Sequence, residues 1–159
     1  LMSLLDILRK MGSNLQILRN SVKIFPSNQL KSINISTNPY PGFPTDLQAQ
    51  LMALMCTVKG NSEIKETVFE NRFMHVPELN RLGAKIILKK DKALINGGQK
   101  FKGAQVMASD LRASVSLVLA ALSAEGETII NRVYHLDRGY EKIERGIGKL
   151  GLQIKRVKS

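Results

Sequence analysis

Lys10-Met11-Gly12-Ser13-Asn14-Leu15 returns as Arg81-Leu82-Gly83-Ala84-Lys85-Ile86 and again as Lys149-Leu150-Gly151-Leu152-Gln153-Ile154. The three glycines stand 71 and 68 residues apart. Each copy reads as an amphipathic helix that ends at Gly and passes into a short strand. Gly suits that point because it takes the left-handed position beyond a helix end without a Cβ penalty. The middle and last copies also match upstream. Thr45-Asp46-Leu47-Gln48 matches Ser109-Asp110-Leu111-Arg112 at an offset of 64, and Gly60 matches Gly126 and Arg72 matches Arg138 at 66. That drift suits small loop insertions between related units. The first unit lacks the upstream helix, and Leu1-Met2-Ser3-Leu4-Leu5 reads as a helix already under way. The chain is therefore expected to open inside a repeat. A period near 70 is too long for the common solenoids. It predicts three related α/β units packed round one core.

The predicted helices sort by their faces. Thr45–Thr57 opens on Thr45 with Gln48 three residues on, a capping-box pattern. It is apolar nearly all round, as is Ser109–Leu122, and a helix apolar on every face is normally buried. The helices ending at Gly83 and Gly151 keep polar faces. In the last, Ile143, Ile147 and Leu150 form one stripe while Lys142, Glu144 and Arg145 face elsewhere. Ile33-Asn34-Ile35-Ser36 and Thr128-Ile129-Ile130-Asn131 alternate like half-buried strands. Helices inside and sheets outside follow.

With 159 residues and 43% apolar content, the chain is long enough for one domain with its own core. The formal charge is +11, which points to anionic partners. Clustering is modest, in Lys85–Lys92 and Lys149–Lys158, and no aromatic residues interleave with the basic ones as base stacking requires. A phosphorylated small molecule therefore ranks above nucleic acid. The lone cysteine, Cys56, excludes an intrachain disulfide and sits in an apolar helix, where it reads as core. No run of about 18 apolar residues suggests a membrane span, and the N-terminal segment lacks a signal-peptide layout. A cytoplasmic protein is the default expectation. His75 and His135 have no metal-ligand spacing with Cys56 or one another.

Three places depart from a plain structural domain. In Asn38-Pro39-Tyr40-Pro41-Gly42-Phe43-Pro44-Thr45-Asp46, prolines stiffen a loop that delivers Asp46 to the start of a buried helix. Asp46 either offsets the helix dipole or offers a fixed carboxylate for chemistry. In Ser109-Asp110-Leu111-Arg112, Asp110 suits a helix N-terminus but the Arg112 charge opposes the dipole. Arg112 therefore needs an anion, either Asp110, another carboxylate or a bound phosphate. Arg138, in Leu136-Asp137-Arg138-Gly139-Tyr140, either pairs with Asp137 or converges with Arg72 on one anion.

These segments resemble a known family. Pro39–Gln50, Phe69–Leu79, Gly103–Ser114 and Tyr134–Glu141 look like four motifs, in order, of the UDP-N-acetylglucosamine enolpyruvyl transferases. The likeness covers essentially the whole chain, and related enolpyruvyl-shikimate-phosphate synthases are the next match. The resemblance implies one inside-out α/β barrel domain over residues 1–159, the C-terminal half of a two-domain enzyme. It implies transfer of enolpyruvyl from phosphoenolpyruvate to the 3-hydroxyl of UDP-N-acetylglucosamine, the first committed step of peptidoglycan synthesis, with no metal or organic cofactor. Carried over by motif, Asp46 contacts the sugar hydroxyl as the candidate base. Val68 and Phe69 line the sugar-nucleotide pocket. Arg112 and Arg138 hold the phosphate and carboxylate of phosphoenolpyruvate, and Asp110 and Arg72 order that cluster.

The same resemblance implies a missing partner. The family's proton-donating cysteine, a lysine and further arginines belong to the N-terminal domain, and Cys56 does not match that cysteine's motif. The chain alone is thus expected to supply half a site and to be inactive. A non-catalytic module that binds the UDP-sugar, or pairs with a separate N-terminal half, is the alternative. Gly146 and Gly148 also depart from the family's helix formers, each at about 1 kcal/mol in a helix interior.

Overall fold

All three repeat glycines take positive φ, +96° at Gly12, +100° at Gly83 and +84° at Gly151. The computed structural model describes residues 1–27 and 29–157. Lys158, the last member of the second basic cluster, lies outside them. In the first two copies the chain leaves the helix identically. Ser13 N–H donates to the Leu8 carbonyl and Ala84 N–H to the Leu79 carbonyl, at 2.9 and 3.0 Å. These bonds satisfy carbonyls that a helix end otherwise strands. Helix α1 (Met2–Lys10) then gives hairpin β1–β2 (Asn14–Ile17 and Val22–Phe25).

The middle unit is the fullest. Strand β3 (Asn34–Ser36) leads through the Pro-rich loop to a 3-10 turn (Thr45–Leu47) and helix α2 (Gln48–Thr57). Strand β4 (Gly60–Lys65), helix α3 (Val76–Arg81) and hairpin β5–β6 (Ile86–Lys89 and Lys92–Gly97) follow. The sheet runs β3-β4-β6-β5, with β3 parallel to β4 and the other pairs antiparallel. Its inward residues alternate as a pleat requires. Ser62 and Ile64 on β4 lie opposite Ile95 and Ala93 on β6, and all four are buried.

The third unit starts alike, with β7 (Gln105–Met107), helix α4 (Leu111–Leu122) and β8 (Ile129–Asn131), the two strands being parallel. Short helices α5 (Tyr134–Asp137) and α6 (Ile143–Gly148) follow. Here two expectations fail. No strand forms over 152–157, where Ile154 packs on the Val115, Val118 and Leu136 cluster and Arg156 bonds to Asp137 and Glu144 rather than the backbone pairing with a described strand. Leu150 is 77% exposed, since α6 ends at Gly148 and the stripe does not run on to it. Ile143 and Ile147 do turn inward, against Val115, Val118 and Leu136.

Helices α2 and α4 lie at the centre and pack on each other. Their buried faces hold Leu51, Met52, Met55 and Cys56 from α2 and Val115, Leu117 and Val118 from α4. Burial pushes the Cys56 thiol up to about 12, as expected of a core cysteine. Buried Ser116 donates to the Ala113 carbonyl at 2.6 Å, so this hydroxyl is satisfied within its own helix. The expected helix-inside, sheet-outside arrangement is present. No helix of the described residues is long and apolar enough to cross a membrane.

Candidate active site

The duplicated helix starts have diverged, and the site comes from that divergence. At α4, Asp110 is a true N-cap. Its Oδ1 accepts from the Arg112 and Ala113 N–H groups at 2.8 and 3.0 Å. At α2 the matching residue caps nothing. The chain enters through Pro44 and the 3-10 turn, and no side chain caps the helix. The expected capping box is therefore absent. The Thr45 hydroxyl donates instead to Glu66 Oε2 at 2.9 Å, and Gln48 is buried.

Released from capping, Asp46 meets two arginines from other elements. Arg72, in the loop after β4, approaches Oδ1 at 3.4 Å. Arg112, in the first turn of α4, pairs through Nε with Oδ1 and through an Nη at 3.3 Å with Oδ2. Arg112's required anion is thus Asp46, since Asp110 is occupied by backbone N–H groups. The Arg72 guanidinium also lies 4.9 Å from the centroid of the Phe69 ring. Exposed ion pairs of this kind are weak, so an incoming oxyanion can compete for both guanidiniums.

Two adjoining cavities flank this trio. One, of about 270 Å³, is lined by Thr45, Gln48, Arg72, His75, Asp110 and Arg112. The other, of about 680 Å³, is lined by Glu66, Val68, Phe69, Glu70, Lys90 and Asp91. Asn71, Arg72 and Met74 border both. Asp46, Arg72, Asp110 and Arg112 are therefore brought together, with Val68 and Phe69 on the neighbouring wall. Arg138 is not part of the trio. It lies exposed just beyond α5 and forms no ion pair among the described residues. Its neighbour Asp137 does not pair with it either, because Arg156 takes both Asp137 oxygens at 2.9 and 2.6 Å and holds that carboxyl below its usual range.

Sequence reading passed over Glu66 and His75 as site residues. Ser62 and Ile64 point inward on β4, and the same alternation carries Glu66 inward two residues later. That period was the available signal. His75 is 1% exposed, and neither ring nitrogen has a hydrogen-bond partner among the described residues. Burial lowers its pKa to about 4, against a smaller opposing pull from Asp110.

This shift fixes a sign. The folded pKa lies below the unfolded value of about 6.5, so the unfolded chain binds the proton more readily. The stability involved is present in full above pH 6.5 and drains away as the pH falls towards 4. About 3 kcal/mol is at stake. Urea unfolding at pH 7 and 4.5 is expected to show this slope in the native chain and to lose it in His75→Leu. Equal slopes in the two would mean that His75 is not held neutral.

The arrangement is one of central helices covered by sheets, with Asp46 and Arg112 at two helix starts and Arg72 in the loop after β4. Residues 1–147 match the family of EPSP synthase, 3-phosphoshikimate 1-carboxyvinyltransferase. The chain belongs to that family. It is 58% identical over 153 residues to a UDP-N-acetylglucosamine 1-carboxyvinyltransferase of Pelagibacter ubique, covering 96% of this chain and 37% of that protein. It is 64% identical over 130 residues to one of Paramagnetospirillum magneticum, covering 82% and 30%. The enolpyruvyl transferase NikO of Streptomyces tendae superposes with a TM-score of 0.91 at 30% identity, covering 98% of this chain and 36% of that one. EPSP synthase of Acinetobacter baumannii shares the fold, with a TM-score of 0.63 at 23% identity over 81% of this chain and 31% of that one. The chain thus spans about a third of the length of the relatives it matches.

Proposed function

We propose that this chain supplies one half of the active site of an enzyme that transfers enolpyruvyl from phosphoenolpyruvate to the 3-hydroxyl of UDP-N-acetylglucosamine. The observation that carries this reading is the meeting of Asp46 with Arg72 and Arg112, from separate elements, beside the cavity walled by Val68 and Phe69. The relatives named for that activity support the choice of substrates.

In this reading Asp46 takes the proton of the 3-hydroxyl as its oxygen attacks the central carbon of phosphoenolpyruvate, as a general base. Protonation of the methylene carbon, by a donor outside this chain, completes the addition. The tetrahedral adduct then loses the methyl proton and phosphate, which leaves the enolpyruvyl ether. Arg112 and Arg138 hold phosphate and carboxylate oxygens, since a planar guanidinium offers paired donors to an oxyanion. Arg138 comes to the substrate from its exposed position beyond α5. Arg72 and Asp110 order the cluster, Asp110 by fixing the first turn that carries Arg112. Residues 1–159 act as one domain, working in the cytoplasm beside a second domain that brings the remaining groups.

The test is phosphate release from phosphoenolpyruvate plus UDP-N-acetylglucosamine, by this chain alone and with an added N-terminal half. Release only from the mixture is the expected result. Release by the chain alone would refute the half-site, and none from either, with both parts folded, would refute the activity.

A further inference from the structure

Glu66 is a carboxylate only 5% exposed, just past the end of β4. No cation lies within salt-bridge distance among the described residues. Four hydrogen bonds surround it instead. Oε1 accepts from the Thr37 hydroxyl at 2.8 Å and from the Val68 and Phe69 N–H groups at 2.9 and 3.2 Å. Oε2 accepts from the Thr45 hydroxyl at 2.9 Å.

Every donor belongs to a segment of the candidate site. Thr37 and Thr45 are the two ends of the Pro-rich loop, and Thr45 precedes Asp46. Val68 and Phe69 form the wall of the larger cavity. Thr37 is itself fully buried and accepts from the Thr67 N–H at 2.9 Å. One carboxylate thus ties the loop that presents the acid to the segment that forms the wall.

A buried charge is a costly way to hold two segments together. An apolar side chain of similar volume often stabilises a fold as well or better, and buried ionic groups are kept in some proteins for the conformation they specify. Here the specified conformation is the spacing between Asp46 and Val68-Phe69. We propose that Glu66 is a positioning residue, which sets the Asp46 carboxylate and its two arginines against the Val68–Phe69 wall. Its consequence for substrate rests on the sugar-nucleotide reading given above. The placement itself does not.

Two substitutions separate positioning from stability. Thr45→Val keeps side-chain shape and removes only the bond to Oε2. Glu66→Gln keeps an oxygen for Thr37, Val68 and Phe69, and its amide donates to the Thr45 hydroxyl, which can accept. Glu66→Ala removes the acceptor of the Val68 and Phe69 N–H groups and of the buried Thr37 hydroxyl.

The measurement is NMR of the full 159-residue chain, following the Arg72 and Arg112 Nε–H resonances, with UDP-N-acetylglucosamine titrated as probe and a thermal melt alongside. In Thr45→Val both arginine resonances are expected to move and affinity to fall about three- to tenfold, with the melt within a few degrees of native. Glu66→Gln is expected to restore what Glu66→Ala loses. Unmoved arginine resonances in folded Thr45→Val would overturn the positioning role. Resonances that move in a chain that does not bind UDP-N-acetylglucosamine even with the N-terminal half added would uphold it and overturn the substrate reading instead.

Discussion

Gly97→Ala is expected to cost about 4 kcal/mol or more, at the upper end of single-substitution effects. A Cβ at Gly97 overlaps the Val58 carbonyl oxygen and lies 2.6 Å from the Met55 carbonyl oxygen. Both are backbone atoms at the end of α2, so no rotamer change relieves the overlap. Central helix and covering sheet meet here, and β6 reaches α2 only because position 97 has no side chain. For a domain of this size each kcal/mol lowers the melting midpoint by about 2–4 °C, so a drop of roughly 10 °C is expected. Gly146→Ala is the internal control. A Cβ there meets nothing within 4 Å, and Ala favours the helix by about 1 kcal/mol. One substitution type should thus lower the midpoint in β6 and raise it in α6. A Gly97→Ala chain that melts with the native one would show that α2 and β6 are not packed as described.

The repeat was legible because it rests on local rules. A Gly in the left-handed position ends a helix wherever it occurs, so Gly12, Gly83 and Gly151 marked the units. The all-round apolar pattern placed α2 and α4 inside, since no polar face was left for water. Residue chemistry singled out Asp46, Arg72, Asp110 and Arg112 as candidates, and resemblance gave each an expected role. Neither said which of them pair. That depends on non-local geometry, because whether Asp46 or Asp110 answers Arg112 turns on which of the two is spent as a helix cap. The capping box at Thr45–Gln48 failed for the same reason. A partner 21 residues away, Glu66, took the threonine hydroxyl that local pattern assigned to the helix. The strand expected after Gly151 failed because a strand needs a neighbour, and a sequence motif does not supply one.

Asp46→Asn is expected to move turnover and ground-state binding in opposite directions. The substitution keeps the side chain's shape and removes its negative charge and basicity. In the chain joined by its N-terminal half, loss of the proposed general base should lower kcat by about 10²- to 10⁴-fold. In the chain alone, Arg72 and Arg112 lose the carboxylate that now occupies them. Each exposed pair is worth at most about 1 kcal/mol, so inorganic phosphate should bind about two- to tenfold tighter. A substitution that merely disturbed the fold would weaken both properties. Titrating phosphate against the Arg72 and Arg112 Nε–H resonances gives the first number, and phosphate release by the mixture gives the second. Unchanged phosphate affinity would mean that Asp46 does not compete with the substrate anion, and unchanged kcat that some other group takes the proton. Tighter phosphate with slower turnover would tie both roles to one carboxylate. On the proposed reading, the arginines that Asp46 now holds pass to the arriving anion, which leaves Asp46 free to accept the hydroxyl proton.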